Sequence, residues 1–327
     1  MKSMLKTIKN NLRGIIDLFL SIVIIPSAFL LLIFRKRKAS KFPMTTKVLR
    51  KIGVFPIRNH YYEPLFDVKL LSAPLDLDRH LPGIDFNLSK QLVLLKNLTF
   101  SNELIALDLR KKTKSIEDFY INNGSFESGD ADFLYQIIRY IKPRKIIEIG
   151  SGNSTKIARL ALMKNKSETN NDYEHICIEP FRHHSLEKLD SITVVPERIE
   201  NCDFDWANEL NEGDFLFVDS SHMIRPQGDV LKEYLEIFPQ LKPGVYIHIH
   251  DIFTPKDYPK SWIVDDLRFW NEQYLLEALL TNTNRYEIVA ALNLLKNHYY
   301  EDLSEVCPYL SKDREPGSFY IKVNDKI

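Results

Sequence analysis

"KIIEIGSGNSTKIARLA", residues 145–161, decides how this chain folds. Ile146, Ile147 and Ile149 form a short apolar run broken by one acid, Glu148. A glycine turn, Gly150-Ser151-Gly152, comes next, and a helix-like pattern begins at Ser154. A buried strand that passes through such a turn into a helix is the first half of a parallel strand–helix–strand unit. Glycines there let backbone approach a ligand closely, and an acid beside them can hold a polar part of it.

Outward from this stretch the unit repeats. Strands are expected at 145–149, 175–179, 192–195, 215–218, 245–249, 286–290 and 318–323. Helices are expected at 131–141, 154–163, 185–189, 228–238 and 263–280. Short apolar strands alternating with helices predict an α/β fold with a parallel, doubly wound sheet. Ligands of such sheets sit beyond the carboxyl ends of the strands.

The residues at those ends carry the chemistry. The first strand runs into Glu148, Gly150 and Gly152, and the second into Glu179. The fourth runs into "VDSSH", with Asp219 and His222, and the fifth into "HIHD", with His248, His250 and Asp251. Burying charge is costly, so folding alone does not account for such a gathering. Asp219 and Asp251 could be helix caps, and one of His248 and His250, which share a strand face, could be merely packed. The turn lacks the third glycine of a dinucleotide fingerprint, because Thr155 stands there, and it lacks the Gly-Lys-Ser/Thr of a phosphate loop. An acid before the turn would repel a pyrophosphate and suits a ligand with an amino group. Glu179 fits a bidentate contact to ribose hydroxyls.

Taken in order, "IIEIGSGNST", "ICIEP", "FLFVDSSHM" and "LKPGVYIHIHDI" resemble the motifs of class I S-adenosylmethionine-dependent methyltransferases. Within them, the Asp-x-x-His after strand four and the acid ending strand five most resemble metal-dependent, macrocin-type sugar O-methyltransferases. The resemblance covers roughly 124–323 and implies a seven-stranded, Rossmann-like sheet with its last strand antiparallel. It implies S-adenosyl-L-methionine as cofactor, with Gly150 and Gly152 lining it, Glu179 on its ribose and Glu148 near its methionine end. It places the loop of Gly129 and Asp130 there too, although that loop also reads as a helix cap. It implies Asp219, His250 and Asp251 as ligands of a divalent metal, Mg²⁺ or Mn²⁺, and His222 as general base for a substrate hydroxyl. His250 replaces a second acid, and imidazole suits Mn²⁺, Fe²⁺ or Zn²⁺ better than Mg²⁺.

Elsewhere the chain sets bounds. Its 327 residues carry 44 basic and 44 acidic side chains, a balance that points away from nucleic acid. Cys177, Cys202 and Cys307 have no metal-ligand spacing and read as buried thiols. "GIIDLFLSIVIIPSAFLLLIF", residues 14–34, is apolar apart from Asp17, two serines and Pro26. As a helix it would cover roughly 30 Å, about a bilayer core. Basic residues flank it on both sides, so either a single span or a re-entrant hairpin turned at Pro26 is expected. The pattern of Arg13, Asp17 and Pro26 also resembles the re-entrant helix of polyprenol-phosphate phosphoglycosyl transferases. Residues 1–41 are thus expected to anchor the chain, 42–116 to form an accessory or cap region, and 117–327 the methyltransferase domain. Tyr61, Tyr62 and Phe66 of the accessory region could line a pocket or pack against a neighbour.

The expectation is a membrane-associated methyltransferase, its catalytic domain on the cytoplasmic face, acting on a hydroxyl of a sugar or lipid-linked glycan. A methyltransferase of a small non-glycan molecule and a non-catalytic membrane scaffold are the rivals.

Overall fold

The computed structural model describes residues 2–37, 39–113, 115–181 and 184–325, so Lys38 of the basic run lies outside the described residues. The chain divides into two units, Met1–Ser72 and Ala73–Ile327.

In the first unit, α1 (Lys2–Lys36) is one helix of 35 residues with Pro26 inside it. The reversal considered at Pro26 does not occur. A proline deletes one backbone hydrogen bond, and a helix held by the turns on either side can run through it. Within α1, Lys9–Lys36 has the length and composition to cross a bilayer, with a window of mean hydropathy 2.6 that is wholly unburied. A second helix, α2 (Pro43–Ile52), starts on its proline and stops at Gly53. Gly53 has a φ of +85° and donates its N–H to the Leu49 and Arg50 carbonyls, the usual left-handed helix stop. Phe34 is buried edge-on between Phe42 and Phe55. Arg35 and Arg58 both pair with Glu63.

The second unit begins with helices α3 (Leu88–Asn97), α4 (Ser101–Ala106) and α5 (Asp130–Ile141). Strand β1 (Lys145–Ile149) leads through the glycine turn to α6 (Asn153–Thr169), and β2 (Glu174–Ile178) and β3 (Thr193–Val195) come after it. Then come α7 (Trp206–Glu209), β4 (Phe215–Val218), α8 (Asp229–Lys232), β5 (Tyr246–Ile249) and α9 (Glu272–Leu280). The chain closes with β6 (Tyr286–Ala291), α10 (Leu292–His298), α11 (Tyr300–Val306) and β7 (Phe319–Val323). The seven strands are ordered β3-β2-β1-β4-β5-β7-β6, and β7 is antiparallel to both neighbours.

Strand alternation sorts the core onto two faces. Ile146, Phe215 and Phe217 join one cluster with Phe133 and Ile157, while Ile147, Leu216 and Val218 join another with Tyr234 and Leu276. Burial on both faces is why these strands read as continuous apolar runs. Leu95, Leu98, Leu104 and Leu109 belong to the first cluster, so residues 73–116, read from sequence as accessory, pack as part of the sheet's own unit. All three cysteines are buried free thiols.

Several helices differ from expectation. Residues 185–189 make only a short 3-10 turn, Leu186–Lys188. The helix expected over 228–238 is α8 followed by a wide π turn, Glu233–Ile237. Residues 263–280 are not one helix: a π turn at Ser261–Asp265 is followed by a break before α9. The break has a tertiary cause, because Asn271 and Glu272 donate their N–H groups to the His222 carbonyl.

Candidate active site

The strand register brings the site together. Ile149 pairs with Val218 and Val218 with Ile249, so Gly150, Asp219 and His250 leave the sheet side by side. Backbone bonds continue past the strands: Asp219 N–H donates to Ile149 O at 2.8 Å, and His250 N–H to Val218 O at 2.9 Å. Order β2-β1-β4 makes the end of β1 the point where connections change side, the usual crevice of such sheets.

At Gly150 the glycine is a steric requirement. Its φ is +79°, and a Cβ there would lie 1.9 Å from the Asp219 carbonyl oxygen. Gly152 differs: nothing lies within 4 Å of its would-be Cβ, which leaves room beside the turn. Next to Gly150 is a cavity of about 350 Å³, lined by Glu179, Phe181, Ile199, Glu200, Ser221 and Arg225 among others. Asp219 lies on its border. Glu179 Oε2 accepts from Ser151 N–H at 3.2 Å, and Oε1 from Phe181 N–H at 2.8 Å. The carboxylate expected on the ribose therefore also shapes the turn that borders the cavity.

Three expected cofactor residues lie elsewhere. Glu148 is fully buried, with Oε1 2.5 Å from His175 Nε2 and Oε2 accepting from Ser154 and Thr155 hydroxyls. Its partners tie β1 to β2 and to the start of α6, leaving no free oxygen for a ligand's amino group. Gly129 is packed, since a Cβ there would sit 2.9 Å from Pro316. Asp130 is buried, accepts from Ser318 N–H at 2.7 Å and has Oδ2 3.9 Å from His250 Nε2. It stands behind the His250 imidazole.

The expected metal and base residues do converge. His222 Nε2 lies 3.3 Å from Asp219 Oδ1 and 3.5 Å from Asp251 Oδ2. His250 Nδ1 lies 3.5 Å from the other oxygen of each aspartate. His222 and Asp251 both adopt left-handed φ values of +58°. For residues with a Cβ that costs on the order of 1–3 kcal/mol, a strain often found at functional sites. Gly317 permits the turn at Asp251, because a Cβ on it would come 3.1 Å from the Asp251 Cα. His248 is the packed member of its pair: it stacks on Phe217 at 4.2 Å and bonds Ser318 Oγ at 2.9 Å.

Electrostatics follow from this geometry. Burial disfavours a charged His222 ring, yet Asp219, Glu272 and Asp251 outweigh it and raise its pKa to about 10. Between these carboxylates alone, the expected general base thus carries the proton at neutral pH. His250 is likewise buried but raised, by Asp251, Asp219 and Asp130. Asp219, opposed by burial, is held well below the usual carboxylate range by both rings. His248 is pushed down by burial and by the neighbouring His250.

Sequence reasoning missed the supports of this cluster. Glu272 Oε2 is 2.8 Å from His222 Nδ1, and Glu272 Oε1 accepts from Tyr234 at 3.1 Å. Trp270 lies against the His222 ring at 4.4 Å, and Ser220 donates to buried Glu233 at 3.1 Å. Glu272 is an ordinary first-turn helix acid by sequence, and a helix read through 263–280 hid that it begins a new one.

The sheet order and the crevice at the end of β1 are those of the fold that class I S-adenosylmethionine-dependent methyltransferases share. Residues 147–252, from within β1 to just past Asp251, match the family model described as a methyltransferase domain. An uncharacterized protein of Archaeoglobus fulgidus is 27% identical over 174 residues, 50% of this chain and 77% of that relative. Among solved structures, an O-methyltransferase from Bacillus cereus in complex with SAH is 13% identical, covering 72% of this chain and 91% of that one, with TM-score 0.35. A protein-L-isoaspartate O-methyltransferase from Plasmodium falciparum, in complex with S-adenosyl-L-homocysteine, is 18% identical over 49% of this chain and 83% of that one, with TM-score 0.31.

Proposed function

We propose that this methyltransferase is anchored at a membrane by α1, with its catalytic unit on the cytoplasmic face. It methylates a hydroxyl of a sugar or lipid-linked glycan, with S-adenosylmethionine in the cavity beside Gly150 and Glu179. A divalent cation held by Asp219, Asp251 and His250 completes the site, with His222 beside it as the base. One observation carries the cation: His250 Nδ1 is buried, accepts and donates no hydrogen bond, and lies equally far from both aspartates. The ring's other nitrogen faces Asp130, the backing that a metal-bound imidazole receives. An imidazole beside two carboxylates favours Mn²⁺ over Mg²⁺.

Such a cation, when bound, supplies Lewis acidity that makes a nearby hydroxyl easier to deprotonate. The chain's own groups orient the rest. Glu272 and Trp270 fix the His222 ring so that Nε2 faces the cleft, where a neutral ring could take the acceptor's proton. Glu179 and the Gly150 turn hold the cofactor so that its methyl group meets that oxygen in line. The sugar acceptor rests on the Asp219-x-x-His222 spacing and the acid ending β5, and the lipid-linked form on α1.

The test is methyl transfer from labelled S-adenosylmethionine to fractionated membrane glycolipids, before and after exhaustive chelation. Chelation should abolish turnover, Mn²⁺ should restore it better than Mg²⁺, and cofactor affinity should stay unchanged. His222→Ala should lower turnover roughly 10²-fold or more. Chelation without effect beside an inactive His222→Ala removes the cation and leaves the base. Full activity of His222→Ala overturns the whole assignment, and transfer to glycan-free lipids alone overturns the sugar.

A further inference from the structure

The first unit presents an apolar stripe with no partner among the described residues. On α2, Met44, Val48 and Ile52 are 82%, 56% and 68% exposed. Their four-residue spacing puts them on one face of the helix. Lys47 and Lys51 flank that stripe, and Arg50 lies roughly 200° around the helix from Val48. Beyond α2, Val54 is exposed, and Tyr61 and Tyr62, edge-on to each other, are 92% and 87% exposed. Soluble surfaces scatter single apolar residues, but a helical stripe continued by exposed aromatics marks a surface that something covers.

Charge selects what covers it. Residues 35–63 contain nine Lys and Arg side chains against one acid, Glu63, which pairs with Arg35 and Arg58. Two such faces would repel each other, which disfavours a second copy of the chain. The complementary surface is anionic and apolar at once, which describes a bilayer of acidic lipids seen from its edge. Position agrees: α2 begins seven residues after α1, the apolar helix, ends. Phe34 near the end of α1 packs on Phe42 and Phe55, at either end of α2, and so ties the two helices together.

We propose that α2 is an in-plane interfacial helix. Met44, Val48 and Ile52 lie in the acyl boundary, Lys47 and Lys51 reach anionic headgroups, and Tyr61 and Tyr62 sit at headgroup level. This rests on the reading of α1 as a membrane anchor and adds a second, lipid-selective contact. A lone apolar helix leaves its protein free to tilt and swing about the anchor, whereas a helix lying in the plane limits that freedom.

The test uses the full chain in vesicles of phosphatidylcholine and phosphatidylglycerol in equal parts. An environment-sensitive fluorophore is placed on single cysteines at Ile22, Met44, Val48, Ile52 or Arg50, in a background with the three native cysteines replaced by serine or alanine. Lipids bearing a nitroxide near the headgroup serve as quencher. Probes at Met44, Val48 and Ile52 should shift to the blue and be quenched several-fold more strongly than the probe at Arg50. The difference should shrink in pure phosphatidylcholine and in K47Q/K51Q. Ile22 reports the anchor separately, with a nitroxide deep in the acyl chain. If Ile22 is quenched and the α2 probes are not, the anchor stands and the interfacial helix is overturned. If Ile22 is unquenched too, the anchor fails and this proposal with it. Blue-shifted α2 probes that resist lipid quenching and cross-link between chains would mean that a second copy covers the stripe, and also overturn it.

Discussion

Glu272 grips His222 from behind: its Oε2 lies 2.8 Å from Nδ1, while Nε2 on the far side of the ring faces Asp219 at 3.3 Å. Fifty residues separate the pair in sequence. Tyr234 donates to the same carboxylate, and the Asn271 and Glu272 N–H groups donate to the His222 carbonyl. Ring and backbone of one histidine are therefore set by one helix start.

Glu272→Gln keeps the shape but weakens the hold on the ring and removes the charge behind it. Turnover should fall about 10-fold to 100-fold, the range for an outer partner that orients a group at such a site. Cofactor affinity by calorimetry should not move. A parallel loss of cofactor binding would mean that the variant disturbs the crevice as a whole.

Glu179→Ala should weaken S-adenosylmethionine binding by about 1.5–3 kcal/mol, the scale of hydrogen bonds to a charged group. Part of that loss comes through the turn, since Glu179 also accepts from Ser151 and Phe181 N–H groups. Glu179→Gln, which keeps an acceptor, should lose less. Equal affinity of all three proteins would remove Glu179 from the cofactor site.

The two glycines of the turn should part company. Gly150→Ala forces a Cβ to within 1.9 Å of the Asp219 carbonyl, so the loop must shift and the melting temperature should fall. Gly152→Ala meets no protein atom within 4 Å and should melt as the parent does. Its cofactor affinity should drop instead, because the added methyl intrudes where a ligand would lie. Unchanged binding would show that the cofactor passes elsewhere.

Away from the site, Arg139 is buried and makes a paired contact to Glu103, at 2.7 and 2.9 Å, with Glu168 at 2.8 Å. Removing one partner of such a buried cation typically costs about 3–5 kcal/mol; with Glu168 and Asn165 still in place, Glu103→Gln should sit near the lower end. The Arg139 bond holds the Glu103 pKa below its ordinary value, against the effect of burial. A depressed carboxylate contributes stability that is present above its unfolded pKa and is lost as pH falls through the folded one. Denaturant midpoints should therefore drop in the parent as pH falls below the ordinary carboxylate range, and drop less in Glu103→Gln. Identical pH profiles would show the pair to be neutral.

The strands, their parallel order and the gathering of Asp219, His222, His250 and Asp251 at strand ends were all legible in the sequence. Those features are short-range: a strand buried on both faces has to be an apolar run, and the residues just beyond its end have to lie at the sheet's edge. Which way a strand-end side chain turns is a different matter. Glu148 looks like a ligand acid, but strand alternation and register set it opposite Cys177 and beside His175, where neighbours consume both its oxygens. Asp130, read as a secondary cofactor contact or a helix cap, backs His250, because the residue before β7, Ser318, reaches its other oxygen. Glu272 carried no local signal, since its role exists only where α9 meets the loop after β4. Periodicity along the chain records how much of each residue is buried; the partners that bury it come from elements far away in sequence, and only the folded chain selects them.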